Sequence, residues 1–141
     1  MKVTAILVAL MLFISPAAQA ADVYPTIMAM LKDARNAADN NQVDALIVQM
    51  ALRDGRYQKG QFCTMVRSHN SLGRKLTDMA IWMRENKAAF HKLPSKQRES
   101  AIKRADALSQ VVLLTGQVEY QIGDQLKRIG KDFANIGCEA K

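Results

Sequence analysis

From Phe62 to Phe90, and again from Ile102 to Ile136, apolar residues return at intervals of three and four, and nowhere does the every-second-residue alternation of a half-buried strand persist. A period of that kind, held for some thirty residues at a time, admits only helices. Two prolines, Pro25 and Pro94, are all that interrupt it between Ala21 and Lys141. The fold class expected is all-α.

The first long stripe runs through Phe62, Met65 or Val66, His69, Leu72, Leu76, Met79 or Ala80, Met83 and Phe90. The second runs through Ile102, Ala105, Leu108, Val111 or Val112, Thr115, Val118, Ile122, Leu126 and Ile129 to Phe133 and Ile136. Between them lies HKLPSKQ, where Pro94 pushes Leu93 out of the helical region and starts the next helix well. Two long helices joined by a short turn make an antiparallel hairpin. Upstream, a helix beginning at Pro25 gives way around ADNNQ, residues 38–42, and another carries Val43, Leu46, Ile47, Met50 and Ala51 as far as RDGRYQKG, a loop marked by Gly55 and Gly60. The expected architecture is a small bundle of four to five helices, with a long C-terminal hairpin that the shorter helices cover.

The first twenty residues, MKVTAILVALMLFISPAAQA, stand outside that domain. Lys2, the apolar run Ala5 to Ile14 and the small residues Ala18 and Ala20 have the order of a cleaved export signal, and the run is too short to span a bilayer. Residues 21–141 are then a single helical domain, periplasmic or secreted, with no transmembrane segment of its own. In an oxidising compartment the even pair Cys63 and Cys138 favours one disulfide, the alternatives being two buried thiols or a disulfide to another chain. In straight helices the two are displaced by roughly 22 Å, beyond the ~7 Å limit on their Cα separation. If they pair, the last helix must break, at Gly116 first or Gly130 second, which favours five helical segments.

Gly116, Gly123, Gly130 and Gly137 fall at a strict interval of seven, and the last three follow isoleucines. Glycine inside a helix costs about 1 kcal/mol relative to alanine, so a line of them calls for a compensating gain. The expected gain is a close helix contact. A groove open to a partner and a C-terminal segment that rearranges on binding are the other readings.

Charge is concentrated rather than spread. Between Arg53 and Arg104 there are thirteen basic side chains against four acidic ones, a net of +9, while the rest of residues 21–141 is net negative. A basic middle of this kind attracts anionic partners. Arg67, Arg74, Lys75, Arg84 and Lys87 are the expected partner-binding residues.

Reactive chemistry is sparse. Only two histidines occur: His69 falls on an apolar stripe and reads as a packed core residue, and His91 sits in a basic turn. There is no paired-histidine metal motif, no Cys-x-x-Cys, no phosphate loop and no nucleophile elbow. Glu85, Glu99 and Glu119 read as surface charge, and Met65, Met79 and Met83 as core filling at helical spacing. An enzyme is not expected, nor is a metal or a cofactor.

ADVYPTIMAML, followed by AADNNQVDAL, resembles the beginning of the periplasmic four-helix b-type cytochromes. The resemblance covers about thirty residues and implies a haem held by a methionine on the first helix, matched by Met28, and by a histidine near the C-terminus. The last segment, KRIGKDFANIGCEAK, contains no histidine, so the second ligand has no counterpart.

The function expected is an exported, non-enzymatic helical bundle that binds another macromolecule in the bacterial envelope, as an inhibitor or immunity protein or as an accessory of a secretion apparatus. A protein partner comes first, and nucleic acid is excluded by export. One alternative rests Lys92, Lys96, Arg98, Lys103 and Arg104, around the Pro94 turn, on an anionic lipid or cell-wall surface. Another is a carrier of a small ligand, haem or metal.

Overall fold

The computed structural model describes the backbone of residues 16–138 and the side chains of residues 22–138. Residues 1–15, most of the expected export signal, lie outside this range, and among the described residues no helix is long and apolar enough to cross a membrane.

Three long helices make up the described residues: α1 (Pro16–Arg53), α2 (Lys59–His91) and α3 (Ser95–Arg128), followed by one 3-10 turn at Phe133–Asn135. The all-helical class is as expected, and the count is three rather than four to five. Two expected breaks do not occur. Helix α1 runs through residues 38–42 because no glycine or proline stands there, and because Asn41 is anchored at 1% exposure by the other two helices. Helix α3 likewise passes Gly116 without interruption. Nor does α1 begin at Pro25; it is already helical from Pro16, through alanine-rich sequence of high helix propensity.

Real stops occur where glycine takes a positive φ. Gly55 and Gly130, both at φ +70°, end α1 and α3. At each, the following amide reaches back five residues (Arg56 to Ala51 at 2.8 Å, Lys131 to Leu126 at 2.9 Å) and the glycine amide reaches back three, which satisfies carbonyls the helix end leaves free. At the turn between α2 and α3, Arg98 Nη1 donates to the carbonyls of His91 at 2.7 Å and Leu93 at 2.6 Å.

Side-chain pairs give the directions. His69 of α2 meets Glu119 of α3, symmetrically about Pro94, so these helices are antiparallel. Tyr24 meets Ser100 and Gln49 meets Gln121, so α1 runs parallel to α3. The expected hairpin exists, but α1 is not its cover. Helix α1 packs closely against both neighbours, while the backbones of α2 and α3 stay further from each other. Composition explains this. Helix α1 buries Ala34, Ala37, Ala38, Ala45 and Ala51, which permit close approach, whereas α2 and α3 face each other with side chains such as Met79, Met83, Phe90 and Val112.

The interior has two apolar halves. One gathers Ile27, Leu31, Ala34, Ala38, Leu72, Leu108 and Val111; the other gathers Ala45, Val48, Phe62, Met65, Ile122, Leu126 and Ile136. Between them lies a polar layer. Asn41 donates to Glu119 Oε1 at 2.9 Å and accepts from the Ser68 hydroxyl at 3.1 Å, while His69 Nδ1 lies 3.0 Å from the same Glu119 oxygen. His69 is therefore an exposed neighbour of a carboxylate rather than a packed core residue, and Glu119, its side chain 17% exposed, is not surface charge.

Cys63 and Cys138 form a disulfide across a sequence separation of 75, with Cα atoms 5.3 Å apart. Of the two break points that pairing required, the second is the one used. Once α3 stops at Gly130, the chain turns back beside the start of α2, where Asp132 caps the 3-10 turn and Ile136 is buried. The disulfide fits a protein of an oxidising extracellular or periplasmic compartment.

Candidate binding groove

Since α2 and α3 stand apart, a gap runs between them on the side away from α1. At the disulfide end the chain fills it. Phe133 packs 5.1 Å from the ring of Phe62 on α2, and its Cε2 lies 3.1 Å from where a Cβ on Gly123 of α3 would be. At the opposite end, near the Pro94 turn, the gap is open as an apolar groove of about 250 Å³. Its floor is Ile27 and Leu31 of α1. Leu76, Met79, Ala80, Met83 and Phe90 form the α2 wall, and Ala101, Ile102 and Ala105 form the α3 wall.

The five basic residues expected to bind a partner do not form one patch. Lys75 pairs with Asp33 at 3.0 Å, and Arg67 donates to Thr64 on the α1 side of α2. Arg74 is exposed and faces neither neighbouring helix by its helical position. Arg84 and Lys87 are different. They stand one turn beyond Ala80 and Met83, so they continue the line of groove residues on α2. Both are exposed, and neither is in an ion pair among the described residues. Around the turn, Lys92, Lys96, Lys103 and Arg104 are also exposed, whereas Arg98 is committed to the turn carbonyls.

The glycine line dissolves into separate roles. Gly116 faces open space, Gly123 receives Phe133, Gly130 ends α3, and Gly137, at φ +64°, turns the chain into Cys138. Only Gly123 makes the close contact expected of all four, and it does so with a side chain rather than a helix backbone. Opposite signs follow for one substitution. Gly116→Ala is expected to stabilise by about 0.5–1 kcal/mol through helix propensity, whereas Gly130→Ala is expected to destabilise by about 1–2 kcal/mol because alanine resists the left-handed region. Urea melts of the two variants check the pair.

A second apolar surface lies on the outer face of α1, where Val43, Leu46, Ile47 and Met50 are between 41% and 64% exposed at helical spacing. Arg67 lies beside Val43 at its edge, and Arg53 stands exposed one turn beyond Met50, but among the described residues no groove is formed along its length. Met28, the residue matched to a haem ligand, packs against the first apolar half, and no group of three or more His, Cys, Asp or Glu suited to a metal ion occurs among the described residues.

Sequence reasoning missed the polar layer and the groove. Glu119 carried a signal, since it falls four residues after Thr115 and three before Ile122, on the buried face of its helix. The groove had none of that kind, because it depends on how far apart two helices stand. No protein-family model, curated protein or solved structure matches this chain.

Proposed function

We propose that this is an exported, non-enzymatic bundle that binds another macromolecule in the bacterial envelope, a protein before any other, in the manner of an inhibitor, an immunity protein or an accessory of a secretion apparatus. The observation that supports this reading is the open apolar groove with Arg84 and Lys87 standing free in line with its wall. An apolar centre with a charged rim is the anatomy of a protein interface, with the apolar part contributing most of the affinity and the charges the steering. At about 250 Å³ the groove lies below the roughly 300–1,000 Å³ of pockets that enclose drug-sized ligands. It suits a few large side chains better than a haem.

The test is a crosslinking pull-down from envelope extracts with C-terminally tagged protein, washed at low and at high salt. A single stoichiometric protein partner, its yield reduced severalfold at high salt by screening, is the expected result. Recovery of lipid or cell-wall material alone would replace the reading with surface association, for which the exposed lysines around the Pro94 turn are the supporting observation.

A further inference from the structure

The two ends of the α2/α3 gap are equivalent by the helical repeat. Eighteen residues make five turns of an α-helix. On α2, eighteen residues separate Phe62 from Ala80, and on α3 eighteen separate Ala105 from Gly123. Each pair therefore points the same way from its helix. At one end Phe62 and Gly123 receive the ring of Phe133. At the other, Ala80 and Ala105 line the open groove. The chain thus displays, in its own tail, the kind of segment that covers this gap: a 3-10 turn whose half-exposed aromatic ring lies against Phe62 of α2 and Gly123 of α3, and whose aliphatic residue three positions later, Ile136, is buried.

From this equivalence we infer that the groove takes a short peptide segment of a partner protein, with an aromatic side chain between Ala80 and Ala105, an aliphatic one three residues on, and acidic flanks. The acidic flanks answer Arg84 and Lys87. Glu85, the nearest carboxylate in sequence, points about 100° further round the helix from Arg84, away from Lys87. Alanine at positions 80 and 105 leaves room for an entering ring where a leucine at either would fill it. The chain's own tail is held at the far end by Cys138 and is not the occupant. This inference rests on the proposed function and names the chemistry of its partner.

The probe is a fluorescent synthetic peptide, DFANI flanked by two glutamates on each side, followed by anisotropy. Saturable binding is expected. It should weaken at least tenfold for the Ala80→Leu/Ala105→Leu protein, tenfold when the peptide's phenylalanine is alanine, and tenfold for Arg84→Glu/Lys87→Glu, which should also lose the salt dependence. Both leucines replace exposed alanines, so circular dichroism melts should match the wild type. Should that variant melt early, the charge-reversal variant carries the comparison. No binding, or equal binding by all three proteins, overturns the inference. The pull-down repeated with the leucine variant separates the two readings. A partner recovered equally by both proteins leaves the proposed function standing and removes the groove, and no partner from either removes the proposed function.

Discussion

Replacing Cys63 and Cys138 together by serine is expected to lower stability by about 4 kcal/mol and the melting temperature by roughly 15 °C. The magnitude follows from the length of chain the bridge closes, a separation of 75 residues, because the unfolded ensemble regains the freedom of that loop. All of α3 and all but the first turn of α2 lie inside the loop, so the unlinked chain must bring its C-terminal segment back to the start of α2 unaided. Urea titration of the variant beside reduced wild type checks the value, and the two should agree. A loss below about 1 kcal/mol would mean that Ile136 and Phe133 hold the tail without the bridge.

Phe62→Ala carries the next largest effect, about 3–5 kcal/mol. Phe62 is 1% exposed among Ala45, Val48, Ile122 and Leu126, and it also carries the ring of Phe133. Alanine there leaves a cavity beneath the tail as well as in the core. Since the disulfide and Phe62 secure the same segment, the triple variant should lose less than the sum of the separate losses, by about 1 kcal/mol or more. A double-mutant cycle by urea unfolding reads this difference. Full additivity would show that the tail does not depend on Phe62 for its seat.

Periodicity made the long hairpin legible, and the loop at residues 54–58 and the turn at Pro94 fall where glycine and proline stand. It failed where composition had to be weighed against tertiary contacts. Asp39, Asn40 and Asn41 are weak helix formers, but Asn41 bonds to both other helices, and that outweighs a cost of some tenths of a kcal/mol per residue. Glycine was misjudged in a different way. Only backbone geometry distinguishes Gly130, which stops a helix, from Gly116, which α3 absorbs. The central place of α1 was written in its alanines, which a search for large apolar residues passes over. As for the site, Arg84 and Lys87 stood among five basic candidates, and nothing in the sequence singled them out, because only the separation of α2 from α3 sets them in line with a groove wall.

Asn41, held from two sides, also governs which motions the bundle has available. Moving any helix along its axis would strand a buried amide or carboxylate, at about 1–3 kcal/mol for each group left without its partner. Tilting α2 away from α3 at the Pro94 end is opposed too, because a turn of three residues ties the helices there and Arg98 of α3 holds the carbonyls of His91 and Leu93. The groove's two walls are thus fixed both in their vertical alignment and in their separation at the turn. An occupant is then measured both by the interval between its side chains and by their girth, as a key is read by the positions and the depths of its cuts.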